Sequence, residues 1–142
     1  MILIDVNILV YANRVDSRNH SMYKAWLEET LRSGEQIGMS ELVLSSVVRI
    51  ITHPRIFPEP TGLNDALEFA DSLRDHPACV PVAPGVVHWE IFTRLCRAAA
   101  AKGALVTDAY LAALAIESHA EWITADRDYA RFPGLRWRHP LA

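Results

Sequence analysis

Short apolar runs alternate with amphipathic stretches from one end of this chain to the other, which points to an α/β fold on a mainly parallel sheet flanked by helices. Ile2-Leu3-Ile4 is an unbroken apolar run of the kind a strand buried on both faces requires. A short helix is expected over 7–11. A longer one follows over 21–32, with Met22, Ala25 and Trp26 inward and Ser33-Gly34 at its end. Residues 36–39 read as a second strand, and Ser40 is placed to cap a helix that continues through Val43, Val47 and Ile51 until His53-Pro54 stops it. The proline-rich stretch 54–62 is a loop. Beyond it come a helix over 64–73, a strand over 79–82, and a helix over 87–100 with Trp89, Phe92, Leu95, Cys96 and Ala99 inward. Leu105-Val106-Thr107 is expected as a strand, 109–116 as a deeply packed helix, and 122–125 as a strand. One helical turn and an edge strand near 135–138 complete the chain. With 142 residues, 51% of them apolar, the expectation is one domain over 1–142 with its own core.

Three of the expected strands run straight into an aspartate: Asp5, Asp108 and Asp126. In an open parallel sheet the carboxyl ends of the strands share one edge, so acids distant in sequence can converge on one crevice. Each also has a purely structural use. Asp5 can cap the helix near Asn7, Asp108 can face the positive end of the helix after it, and Asp126 can cap the turn through Tyr129. Together, however, poorly solvated carboxylates repel one another unless a cation or protons compensate. An all-oxygen set suits magnesium or manganese, which activate water and stabilise charge on a phosphoryl group. The chemistry this implies is phosphodiester hydrolysis.

Other chemistries lack their signatures. No glycine-rich phosphate loop of the GxxxxGK type, GxSxG elbow or HExxH helix is present. His20, His53, His76, His88, His119 and His139 lack ligand spacing and are expected mostly at surfaces or turns. Cys79 and Cys96 form neither a CxxC pair nor a disulfide framework. A formal charge of −3 announces no nucleic acid, but Arg127, Arg131, Arg136 and Arg138 crowd into the tail. No apolar run is long enough to cross a bilayer and no basic flank precedes the first one, so a cytoplasmic protein without membrane association is expected. The four tryptophans are assigned to packing.

Three blocks carry a family resemblance: Asp5-Val6-Asn7-Ile8-Leu9-Val10-Tyr11-Ala12, Leu105-Val106-Thr107-Asp108-Ala109-Tyr110-Leu111-Ala112, and Thr124-Ala125-Asp126-Arg127-Asp128-Tyr129 with Phe132. Their order and spacing resemble those of PIN-domain ribonucleases, most nearly the VapC toxins of toxin–antitoxin pairs. The resemblance implies a PIN-like three-layer sandwich and a Mg2+- or Mn2+-dependent endoribonuclease in which metal-activated water cleaves RNA to 5′-phosphate and 3′-hydroxyl ends. It implies that Asp5, Asp108 and Asp126 bind the metal, with Asp128 a further participant. Thr107 and Thr124, each close before an acid, are expected to orient them. A VapB-type antitoxin and a homodimer are the partners implied. The RNA, whether transfer, ribosomal or messenger, is not specified. Arg49 and Arg55, which flank the proline loop, are candidates for RNA phosphates.

The chain departs from the family at one acid. Family members usually carry a glutamate within the helix after the second strand, at the place of Ser46, whereas this chain has Glu41 at the helix start. Five residues rotate a helix by about 500°, or about 140° net, so Glu41 does not take over the direction of Ser46. Glu41 at the strand–helix junction and Ser46 both stay candidates for the fourth position. A catalytically silent PIN-like module that binds RNA or an antitoxin is therefore the alternative. A haloacid-dehalogenase-type phosphatase needs an acid where Asn7 stands, and it and a receiver domain both need a lysine that neither Lys24 nor Lys102 supplies.

Overall fold

Ile2, Leu3 and Ile4 are each almost wholly buried, as a strand with neighbours on both sides and helices on both faces must be. Burying side chains of this size contributes roughly 1.5–3 kcal/mol apiece, so this short run anchors the sheet. In the computed structural model, which describes residues 1–142, that run is β1 (Ile2–Ile4). The chain then continues through α1 (Val6–Asn13), α2 (His20–Arg32), β2 (Ile37–Met39), α3 (Glu41–Ile51), α4 (Leu63–Arg74) and β3 (Cys79–Pro81). After these come α5 (His88–Ala98), α6 (Ala104–Glu117), β4 (Glu121–Ile123), a 3-10 turn (Arg127–Arg131) and β5 (Trp137–Arg138).

All strand pairings are parallel and the order is β3-β2-β1-β4-β5. Leu3 stands opposite Gly38 on one side and Trp122 on the other. The chain builds outward from β1 to β3, then returns to the other side of β1 for β4 and β5. The order therefore reverses between β1 and β4, and a crevice opens beyond the carboxyl ends of those two strands. Helix α1 packs on α2 and α3, α3 on α4, and α5 on α6, giving the three-layer α/β sandwich expected of the sequence. One continuous apolar core runs through the layers. No helix is long and apolar enough to cross a membrane.

Three expectations are corrected. Leu105-Val106-Thr107 is not a strand: these residues belong to the start of α6, which begins directly after Gly103 at φ +60°. A three-residue apolar run does not distinguish a buried strand from a buried helix turn, and helix continuity decided it. The buried stripe of α5 starts one residue earlier than expected, at His88 rather than Trp89. Trp89 is 68% exposed, whereas His88 packs against Tyr110, 2.9 Å from its carbonyl oxygen. His88 is accordingly a satisfied core residue, not a surface histidine. In α2 the inward positions are Tyr23 and Leu27, and Met22 faces solvent, again a shift of one residue or about 100°.

Gly38 marks where the sheet is tightest. A Cβ there would stand 2.5 Å from Leu3 Cδ2 and 2.7 Å from Val82 Cγ2. Gly38→Ala is expected to destabilise the fold by about 1–3 kcal/mol through overpacking, read as a lower urea midpoint. A midpoint equal to wild type would mean that β1 and β2 are packed less closely than described.

Candidate active site

Asp5 leaves β1 and immediately caps α1. Its backbone N–H donates to the Ile123 carbonyl at 2.9 Å, which ties it to the end of β4. Its Oδ1 accepts from the Val6 N–H at 2.7 Å, and its Oδ2 accepts from the Thr124 hydroxyl at 2.6 Å. The same Thr124 Oγ1 accepts the Asp126 N–H at 3.0 Å, so one fully buried hydroxyl couples the first acid to the backbone of the third. Asp126 caps the 3-10 turn by accepting the Asp128 N–H at 2.9 Å. Asp128 thus enters through its backbone, while its side chain is solvent-exposed.

Asp108 arrives differently from the expected strand end. It sits on the second turn of α6, where Tyr129 donates its hydroxyl to Asp108 Oδ1 at 3.3 Å. Tyr129 is buried between Trp122 and Phe132, with ring centroids 5.4 and 5.8 Å away. The three carboxylates line one cavity of about 360 Å³, together with Asn7 and an apolar wall that includes Tyr11, Ile50, Ile56 and Phe57.

No arginine, lysine or histidine pairs with any of the three acids. Burial, reinforced by the charges of Asp108 and Asp126, pushes the Asp5 carboxyl up to about 6 despite its bonds from Thr124 and Val6. Burial and the Asp126 charge likewise raise Asp108, against the bond from Tyr129. Burial beside these acids also drives the Tyr129 phenol upward, so it remains a protonated donor. The Oδ1 of Asn7 is buried with no hydrogen-bond partner. A cavity with surplus oxygen donors and no cation of its own fits a hard divalent ion. The acids do not form a closed ligand shell: no three His, Cys, Asp or Glu side chains stand close enough together to hold an ion directly. An ion in this cavity would therefore reach some of the acids through its own waters.

The other sequence candidates fall in different places. Glu41 is exposed, binds Arg74 Nε at 3.2 Å and lines a separate cavity with Pro81 and Tyr110, so it is not gathered with the acids. It lies about 180° around α3 from Ile50, which lines the acidic cavity. Ser46 lies one turn before Ile50 on the same face, but its hydroxyl donates to Leu42 O at 2.8 Å within its own helix. Thr107 is exposed and makes no side-chain hydrogen bond, whereas Thr124 makes the central one. Arg49 and Arg55 are exposed, without ion-pair partners, and directly precede the cavity residues Ile50 and Ile56. Sequence reasoning missed Asn7, Tyr129 and Phe57 as cavity or support residues. The first two stood within the blocks that carry the family resemblance, close to Asp5 and Asp126, but nothing local gave them a role.

A profile of the PIN domain matches residues 2–135. The VapC ribonuclease Mb2897 of Mycobacterium bovis is 44% identical over 141 residues, covering 99% of this chain and 96% of that protein. Ribonuclease VapC25 of Mycobacterium tuberculosis is 37% identical over 140 residues, covering 99% of each. Among solved structures, VapBC2 from Rickettsia felis bound to a promoter DNA fragment superposes with a TM-score of 0.71 at 17% identity, covering 98% of both chains.

The raised carboxyl of Asp5 sets a pH dependence. Its folded-state value of about 6 exceeds the ordinary 3.8, so the folded protein holds the proton more tightly. Stability on this account is fullest below 3.8 and falls as pH rises to about 6, by up to about 3 kcal/mol. In metal-free solution the stability difference between wild type and Asp5→Asn is expected to swing toward the variant across that window. A difference independent of pH would contradict the environment described for Asp5.

Proposed function

The chain belongs to the PIN-domain family and is a VapC-type ribonuclease, and we propose that it is a divalent-metal-dependent endoribonuclease acting through Asp5, Asp108 and Asp126. The observation that carries this reading is the convergence of three carboxylates, without a cationic partner, on the cavity beyond β1 and β4. In this reading the three acids hold Mg2+ or Mn2+, and Asn7 offers a neutral oxygen beside them. When bound, the ion lowers the pKa of water and offsets negative charge on the phosphoryl group.

The chain's own residues prepare the site. Thr124 holds Asp5 by Oδ2 and fixes the start of the Asp126 turn, so two acids share one rigid support. Tyr129 orients Asp108 by the bond its protonated hydroxyl donates. Asp5, whose carboxyl burial raises to about 6, would have to be ionised to hold a cation, so metal binding would be coupled to loss of its proton in mildly acidic solution. Arg49 and Arg55 meet backbone phosphates at the rim. In-line attack by water would form a new P–O bond and break the bond from phosphorus to the 3′ oxygen, with the proton lost by the water balanced by the one the 3′ oxygen takes up, giving 5′-phosphate and 3′-hydroxyl ends. A single domain over 1–142 carries the activity in the cytoplasm, as a homodimer, and a VapB-type antitoxin covers the crevice, a reading supported by the neighbouring fold of VapBC2.

A second reading, a silent PIN-like binding module, is favoured by one observation. Ser46 stands where a glutamate is usual, and its hydroxyl is turned to its own helix. Cleavage of total RNA by purified protein in magnesium, manganese or chelator separates the two, with Asp108→Asn as the control for contaminating nuclease. Discrete cleavage that needs metal and falls at least about 100-fold in the variant is expected, because the variant removes the charge of one of the three acids proposed to hold the ion. Metal-independent cleavage, or equal cleavage by both proteins, would contradict the assignment. Ser46→Glu is expected to tighten manganese binding about ten-fold, by adding a carboxylate on the Ile50 face of α3. Unchanged affinity would mean that this face does not reach the ion.

A further inference from the structure

The cavity has two unlike sides, and the second is built by a residue the metal chemistry does not use. Arg14, which closes α1, is largely buried, with its side chain 11% exposed. Its guanidinium donates from Nε and Nη2 to the two Asp16 oxygens at 2.9 and 2.8 Å. Nη1 reaches Thr61 Oγ1 at 3.0 Å, and Nη2 also reaches the Glu59 carbonyl at 2.9 Å. Its Cζ lies 4.2 Å from the centre of the Phe57 ring. One side chain thus binds both the far limb of the proline loop and its aromatic residue to the end of α1. Lysine cannot reproduce this, because the planar fork both stacks and donates in several fixed directions.

Phe57, half-buried, also lines the cavity that Ile56, Asp5, Asp108 and Asp126 line. A nucleotide divides chemically in the same way, into an anionic phosphate and a flat, apolar base. We propose that Phe57, clamped by Arg14, is the wall on which a nucleobase next to the scissile phosphate stacks, a role that rests on the nuclease reading of the cavity. Phe57 contacts the substrate, and Arg14 is a positioning residue that acts through it. The clamp fixes how far the wall stands from the acids, and so which RNA segment enters: an unpaired one whose base is free to stack.

The test compares binding of a 5′-fluorescein oligoadenylate with that of its abasic counterpart, in calcium, by fluorescence anisotropy. Wild type is expected to prefer the base-containing strand about ten-fold. Phe57→Leu should lose that preference, Phe57→Tyr should keep it, and the manganese-induced rise in Tm should persist in both. Arg14→Lys should lose the preference and be nicked faster by trypsin after Arg55, since the loop is no longer clamped. Equal binding of both strands by wild type would overturn the stacking wall and leave the nuclease reading intact. So would a preference retained in Phe57→Leu, with the ring then available to a protein partner. Faster nicking of Arg14→Lys with the preference unchanged would overturn the role of the clamp. Failure of wild type to bind either strand would overturn the nuclease reading and the proposal with it.

Discussion

The structure around the cavity depends on one unfavourable fact: carboxylates are gathered where solvent is scarce, with no basic side chain to offset them. Burial raises both Asp5 and Asp108. The fold tolerates this because local bonds hold the acids in place. Asp5 is fixed by β4, by the start of α1 and by Thr124, so it cannot rotate away to solvent. Such an arrangement costs stability in the empty protein and becomes favourable only with a compensating cation or proton.

The sheet order supplies the location. Because the strand order reverses between β1 and β4, residues that follow those strands emerge side by side, and Asp5 and Asp126 are joined through Thr124 there. Asp108 comes instead from a helix, held from the opposite direction by Tyr129. The acids are thus presented by three different elements, and the apolar wall by α1, α3 and the proline loop. Carboxylates and apolar side chains thus share one cavity. Ser46 lies on the Ile50 face of α3, one turn from a residue that lines the cavity.

Much of this was legible in the sequence because it is local. Ile2-Leu3-Ile4 followed by Asp5, the Ser40 cap of α3, and the break at His53-Pro54 are signals that neighbouring residues determine. The errors have a common cause. The run Leu105-Val106-Thr107 is too short to carry a period, and the stripes of α2 and α5 slipped by one residue because Tyr23 and His88 read as polar although their polar atoms find partners. What no local pattern carries is the long-range bonding: Thr124 to Asp5, Tyr129 to Asp108, and Arg14 to the loop that bears Phe57. Asn7 and Thr124 stood within the blocks that resemble the PIN family, yet only the folded chain distinguishes the hydroxyl of Thr124 from that of Thr107, which faces solvent.

The central claim is that the cavity beyond β1 and β4 is built for a divalent cation, and the most direct measurement is anomalous diffraction from crystals soaked in manganese. A peak within coordination reach, directly or through water, of Asp5, Asp108 and Asp126 is the predicted result. Saturating manganese that leaves this cavity without a peak, or that binds only at other side chains, would contradict it.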